Sequence, residues 1–511
     1  MTIPGGLPDL GFPGNLPPDA DPRIWAQTLQ HLVWHAVARD GRLRIADANG
    51  GAVTRNAVFG YVSALRAAGV QPGDVVVVKA DNDARGAAMM LATWLNGCAL
   101  CPVDPSAPAD VHALITEQSG ARAVFEAHGA CTRVEHAAPH DTRLPIRRAT
   151  GVDLALIIFT SGSSGRPKGV LLTHANVMSA LRAIATYLGM HAQDRVLCVP
   201  PMFLDYGLYQ VLFTLFVGNE LVLATQRTNP LKVLGLIDTH RPTILPVVPA
   251  LASGLSTVLN TFGQTLPSVR LVCNTGGHLA AATVDGIRRS FPNAEIYPMY
   301  GLTESKRALY LPPERVAIKP DSVGGPMPGL DARVVVLDEA GQRVEAQPGE
   351  VGELYLRGSS VMQGYHSGES TAGAKLVGGR YRDDVWLATG DLFMRDEDDC
   401  LFFVGRSKSL IKQRGYCIYP RDLEAAAESI ADVGSAIAIG RREDDGDESA
   451  VLFVVLNRPG DTDAEERVRA CLRSTLHRSL QARFVRFLPE WPALAVGKID
   501  LGALARMAKE M

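Results

Sequence analysis

The stretch Leu154 to Val177, LALIIFTSGSSGRPKGVLLTHANV, constrains the fold more than any other part of the chain. Its short continuous apolar run, Leu154 to Phe159, has the length and composition of a buried strand. A polar loop follows, Thr160 to Gly169, then a second apolar run and a helical pattern that begins near His174. Gly162, Gly165 and Gly169 let the loop turn sharply and come close to a ligand. Successive backbone N–H groups in such a loop form a concave anion site. Thr160, Ser161, Ser163 and Ser164 add hydroxyl donors, and Lys168 adds a fixed positive charge. These are the parts needed to hold a polyphosphate. A Ser/Gly linker fits poorly, because linkers are not bracketed by apolar strands. A P-loop NTPase fails at two positions: Pro167 stands where Gly is required, and Gly169 where a magnesium-binding hydroxyl is required.

With 511 residues the chain is too long for one core, so two or more domains are expected. A net charge of −3 gives no basic field for nucleic acid. No apolar stretch is long enough to span a bilayer, and the N-terminus lacks the pattern of a secretory signal. The eight scattered cysteines suit a reducing compartment, so a cytoplasmic location is expected. Cys98 and Cys101 form a C-x-x-C without a second pair or a spaced His, and read best as two small buried hydrophobes.

Taken in order, helical patterns at Ile24 to Arg39, Arg55 to Ala68 and Ala84 to Asn96 alternate with strand-like runs at Val75 to Val78 and Ala99 to Val103. Val196 to Val199, Leu221 to Ala224, Thr243 to Val248, Ser268 to Asn274 and Glu295 to Tyr297 continue the alternation, with a helix at Gly207 to Val217. This predicts an α/β fold with a largely parallel sheet. From Gly324 onward, strand-like segments joined by Gly and Asp turns suggest a β-rich subdomain. Beyond a junction near Gly405 to Lys408 comes a small α+β unit, so the expected domains are 1–405 and 406–511.

The loop at Thr160 to Gly169 resembles the phosphate loop of the adenylate-forming superfamily: acyl-CoA synthetases, luciferases and nonribosomal-peptide adenylation domains. Five later stretches resemble the same family, in the family's order. Asn274-Thr275-Gly276-Gly277-His278 is similar to the loop that lies on the adenine, although a plain Gly turn reads equally well in isolation. Tyr300-Gly301-Leu302-Thr303-Glu304 resembles Y-G-x-T-E, in which the Tyr stacks on adenine, the Thr meets the phosphate and the Glu binds magnesium. Magnesium takes hard oxygen ligands, often one carboxylate plus substrate phosphates. Thr389-Gly390-Asp391 resembles the T-G-D motif, whose carboxylate accepts hydrogen bonds from both ribose hydroxyls. Phe403-Val404-Gly405-Arg406-Ser407-Lys408 resembles the hinge motif, with Phe403 and Arg406 at the nucleotide and Lys408 at the pivot, and the match continues to Glu424. Gly497-Lys498-Ile499-Asp500 resembles the motif that carries the catalytic lysine, though Ala495, Val496 and Leu501 depart from the usual flanks.

The resemblance implies a large N-terminal domain of two sheet–helix lobes plus a β-rich subdomain, with a small mobile α+β C-terminal domain. It also implies an acid–thiol ligase using ATP and Mg2+. The carboxylate of an acid attacks the α-phosphorus to give acyl-AMP and pyrophosphate, with Lys498, Thr303, Glu304 and Lys168 as the catalytic set. A thiol then takes the acyl group. Tyr209, Cys273, Thr275, Met299 and Ala308 line the acyl pocket by position, and Arg307 is free to enter it or stay in solvent. Asp205 falls where amino-acid-activating domains place the Asp that pairs with the α-ammonium. It equally fits the D-x-G-L pattern of fatty acyl-AMP ligases, or a helix N-terminal Asp favoured by the dipole. An amino acid leads these readings. Because no carrier segment is appended, the thiol is expected in trans, from a carrier protein ahead of CoA. The alternatives are a fatty- or aryl-acyl-CoA synthetase or acyl-AMP ligase, and, in another class, a non-catalytic nucleotide- or acyl-binding relative.

Overall fold

The computed structural model describes residues 21–38, 43–134, 148–161, 167–224, 229–279, 281–366, 376–378, 380–381, 384–413, 416–443, 448–475, 481–492 and 499–511. The chain divides into two compact units. One comprises 1–321, 325–331 and 356–387; the other comprises 322–324, 332–355 and 388–511.

In the first unit, the strands Ile45–Asp47, Glu220–Leu223, Arg195–Cys198, Ile244–Val247, Leu271–Asn274 and Glu295–Leu302 lie side by side and parallel. Strands buried on both faces read as continuous apolar runs, which is why ILPV and LVCN show no alternation. Helices such as Pro249–Phe262 and Ala281–Ser290 cover one face, and Leu245, Val247, Leu255, Val272 and Ile287 form its core. The last parallel strand turns back through an antiparallel hairpin with Lys306–Tyr310.

The second sheet of this unit is ordered Gly364–Tyr365, Pro167–Thr173, Leu154–Ser161, Ala99–Val103, Val75–Lys79, Ala123–Phe125, Cys131–Arg133. Its middle strands are parallel and joined by the helices Ala84–Leu95 and Ala109–Ser119. Cys101, within the strand Ala99–Val103, and Cys98, just before it, are buried free thiols pushed up to about 12 by burial, as expected of small core residues rather than a redox pair. The helix His174–Tyr187 starts where the sequence placed it. Thr173 and Asn176 form a reciprocal capping box that satisfies two otherwise orphaned N–H groups there.

The second unit contains the antiparallel pairs Val385–Arg395 with Leu401–Arg406 (from Ala388 on) and Leu330–Leu337 with Arg343–Glu345 (from Ala332 on), the β-rich texture expected beyond Gly324. It ends in a three-stranded sheet of Val433–Arg442, Glu448–Leu456 and Phe484–Leu488 with the helices Pro420–Glu428, Thr462–Thr475 and Leu501–Lys509. Alternate residues of the middle strand serve two cores. Leu452 and Val454 meet Leu423 and Val468, while Val451 and Phe453 meet Leu504 and Ala508. No helix among the described residues is long and apolar enough to cross a membrane.

Candidate active site

The strand Leu154–Ser161 pairs antiparallel with Pro167–Thr173, which sets Thr160 opposite Lys168 and Ser161 opposite Pro167. Gly162, Ser163, Ser164 and Gly165 lie outside the described residues, as does the Ser161 side chain. The returning strand has a second neighbour: Tyr365 pairs with Val170, and the His366 N–H donates to the Gly169 carbonyl at 2.7 Å. Tyr365 thereby comes under Lys168, whose Nζ is 5.5 Å from the ring centroid.

The same tyrosine reaches across to the Y-G-L-T-E hairpin. Its hydroxyl donates to Glu304 Oε1 at 2.6 Å, a short charge-assisted bond that fixes a carboxylate only 8% exposed. Burial and this carboxylate push the Tyr365 phenol far above its usual range, so it remains a donor. Sequence reasoning missed Tyr365, which lies 61 residues from Glu304 along the chain. Among the described residues, no three His, Cys, Asp or Glu side chains could enclose a metal by themselves. As a hard oxygen donor, Glu304 could supply one ligand to a magnesium ion, the remaining ligands coming from phosphates and water. Partners that orient a ligating carboxylate matter about 10–100-fold. If the chain forms adenylates with magnesium, as the resemblance implies, Tyr365→Phe is expected to lower that rate about tenfold and to raise the magnesium concentration needed for half-maximal rate. Steady-state rates over a magnesium titration check both effects.

The hairpin itself is tightly specified. A Cβ on Gly301 would sit 2.1 Å from the Lys306 carbonyl oxygen and 3.0 Å from Arg307 Cα, so only glycine lets the two strands approach. The pairing register shifts between Tyr300 and Leu302. Lys306 adopts a left-handed φ of 66°, uncommon for a residue with a side chain and common at functional sites. Tyr300 is half-buried, and Thr303 sits in the turn before Glu304. Beside this hairpin, Asn274 ends its strand and donates to the Gly277 carbonyl at 2.9 Å. That bond closes the loop Thr275-Gly276-Gly277, in which Gly276 has φ 85°.

The residues expected on the acyl side gather on the helix Asp205–Val217 and the strands facing it. Gly207 admits the Pro200 and Pro201 carbonyls, which a Cβ there would meet at 2.4 Å and 2.2 Å. Tyr206 donates to the Cys273 carbonyl at 2.7 Å, and Tyr187 donates to Met299 Sδ at 3.0 Å. Tyr209, Cys273, Met299 and Ala308 are all buried, and the Cys273 thiol is pushed up to about 12 by burial. Asp205 faces a cation of the protein's own: Lys306 Nζ is 3.8 Å from its Oδ2 and 5.8 Å from the Tyr209 ring centroid. Burial holds the Lys306 ammonium below its usual range, with Asp205 and Glu304 pulling it back. Arg307 turns inward, not to solvent, with its guanidinium carbon 4.8 Å from the Tyr206 ring and 5.1 Å from the Phe213 ring. Two ring faces return about 0.5–2 kcal/mol each, while desolvating an ion costs several. The rings alone leave this charge under-compensated.

In the second unit, Asp391 pairs with Arg406 across neighbouring strands, with Arg406 Nε 3.3 Å from Asp391 Oδ1. Arg406 is 70% exposed, so the pair adds little stability, about 0–1 kcal/mol. Asp391 is held instead by its turn. Gly390 has φ 75° and donates its N–H to Glu353 Oε1 at 2.7 Å, while Thr389 Oγ1 donates to the Leu354 carbonyl at 2.8 Å. Phe403 packs edge-on against Phe393 with centroids 5.6 Å apart. The backbone of Lys408 lies in the short turn Ser407–Ser409, and its side chain lies outside the described residues. Lys498 also lies outside them.

A family model described as AMP-binding enzyme matches residues 56–366. A 4-coumarate–CoA ligase of Solanum tuberosum is 30% identical over 362 residues, 69% of this chain and 65% of that protein. A long-chain-fatty-acid–CoA ligase of Bacillus subtilis (strain 168) is 31% identical over 350 residues, 68% of this chain and 60% of that protein. The chain thus spans less than two thirds of the length of these curated relatives. The ATP-bound crystal structure of MatB from Rhodopseudomonas palustris superposes with a TM-score of 0.79 at 24% identity, covering 95% of this chain and 99% of that one. The chain belongs to the AMP-binding enzyme family, with the two-domain fold of adenylate-forming enzymes.

Proposed function

We propose that this chain joins a carboxylic acid to AMP and then passes the acyl group to a thiol. The acid's carboxylate attacks the α-phosphorus of ATP, pyrophosphate leaves, and the thiolate sulfur later displaces AMP from the acyl carbon. The observation that carries this reading is the buried Glu304, locked by Tyr365 beside the Lys168 strand, within a chain of this family. Lys168 and the loop N–H groups receive phosphate oxygens, and Thr303 adds a hydroxyl. Glu304 would hold a magnesium ion, which would supply charge neutralisation at the phosphates. Tyr300, Gly276 and Gly277 receive the adenine, and Asp391, Phe403 and Arg406 the ribose side. Lys498 meets both the carboxylate and the α-phosphate once the C-terminal domain has swung about Lys408. Such hinges are a common switching device. Most of the rate enhancement then comes from positioning and charge neutralisation.

CoA is the acceptor we favour over a carrier protein, because both relatives are named as CoA ligases. An amino-acid substrate rests on Asp205 alone, and Lys306 already offers Asp205 an ammonium. ATP–pyrophosphate exchange over a panel of amino, aryl, fatty and dicarboxylic acids tests the reading. Exchange that depends on an added acid is expected. Silence with every acid at saturating ATP and magnesium would favour a non-catalytic nucleotide- or acyl-binding protein.

A further inference from the structure

Between the helix Asp205–Val217 and the hairpin, the buried polar atoms Lys306 Nζ, Arg307 Nη2 and Tyr209 Oη have no hydrogen-bond partner among the described residues. Their residues are 4%, 5% and 2% exposed. Among the described residues, Asp205 and Glu304 are the carboxylates that bear on this cluster, both on Lys306 and Asp205 also on Tyr209. Among the described residues, none lies within ion-pair distance of Arg307. Its other neighbours supply no anion either. Tyr206 and Phe213 cover the guanidinium with rings, burial raises the Tyr206 and Tyr209 phenols, and the Cys273 thiol stays neutral. A buried, always-charged fork with unspent donors is therefore built into the acyl side of the site.

We infer that the acid activated here carries a second carboxylate, which Arg307 receives while Tyr209 and Lys306 stand by as further donors. The inference rests on the adenylation reading above and names its substrate class. A planar guanidinium held over aromatic rings keeps its edge N–H groups for a carboxylate in its plane, the geometry in which Arg binds bidentately. An apolar acyl tail would leave the charge buried and unanswered. A substrate ammonium would place a third cation beside Lys306 and Arg307, a repulsive device against amino acids. The strained φ of 66° at Lys306 and the glycine-only contact at Gly301 hold both cations inward against their tendency to reach water.

Exchange kinetics with matched acids decide the matter: butyrate against succinate, pentanoate against glutarate, hexanoate against adipate, and benzoate against isophthalate. The best diacid is expected to exceed its monoacid partner in kcat/KM by on the order of 100-fold, since a site built for a polar group rejects analogues that lack it. Arg307→Gln is expected to lower that diacid-to-monoacid ratio about 100-fold, and Arg307→Lys, which keeps the charge but loses the fork, to restore part of it. Wild-type protein that exchanges with monoacids as well as or better than with their diacid partners overturns the inference, even if the variants fail to fold. So does an Arg307→Gln protein that loses both classes in equal measure. Silence with all acids would instead bring down the adenylation reading itself, and this inference with it.

Discussion

Gly301→Ala is expected to reduce acid-dependent pyrophosphate exchange by at least about 100-fold, the scale set by displacing reacting groups by an ångström. The new methyl carbon would lie 2.1 Å from the Lys306 carbonyl oxygen, 2.9 Å from its carbon and 3.0 Å from Arg307 Cα. All three are main-chain atoms, so no rotamer relieves the clash, and the hairpin must open. Opening it moves Thr303 and Glu304 in the turn and both inward-facing cations beyond it. Overpacking of this kind costs about 1–3 kcal/mol of stability, and the thermal midpoint should fall accordingly. Gly325→Ala is the matched control, because a Cβ there meets nothing within 4 Å. Exchange kinetics and thermal melts of the two variants check the claim. A Gly301→Ala protein within threefold of wild type would mean that the hairpin does not set the site's geometry.

The residues that make this hairpin could be named from sequence because glycine, threonine and glutamate at fixed spacing have a local meaning. The same holds for the helix start at His174, where Thr173 and Asn176 cap their own turn. What could not be read is whatever depends on which strands become neighbours. Tyr365 bonds Glu304 only because Gly364–Tyr365 returns to the edge of the second sheet beside Val170 and Leu171. Nothing in the residues around either position encodes that pairing. The Asp205–Lys306 contact has the same origin: a helix start and a hairpin turn about a hundred residues apart along the chain come within 3.8 Å of each other. Arg307 could be read from sequence as facing inward or outward, since a strand with one face on the core and one on solvent allows both. The left-handed backbone at Lys306 and the shifted register before it decide which.

On the proposed mechanism, Lys498→Ala is expected to separate the two half-reactions. Adenylate formation brings a carboxylate anion up to a polyphosphate, and the charge on the attacking and bridging oxygens needs a cation that is present at that moment. Removing one such preorganised charge costs about 10²–10³-fold in kcat, so exchange should fall by at least that much. Thioester formation from supplied acyl-AMP begins after that charge has gone, and on the swinging-domain proposal it proceeds with Lys498 withdrawn. It should stay within about threefold of wild type, far below the cost of a lost catalytic charge. The variant should also fold, because the chain next to Lys498 is anchored independently of it. Ile499 packs against the buried face of Val451, Phe453, Leu504 and Ala508. Asp500 accepts the Ala503 N–H at 2.9 Å to cap the last helix, and its own N–H donates to the Pro492 carbonyl at 2.7 Å. An unchanged thermal midpoint is therefore part of the expected result. If both half-reactions fell together while the fold held, Lys498 would be acting on something the two steps share, such as AMP retention, and the swing about Lys408 would lose its purpose.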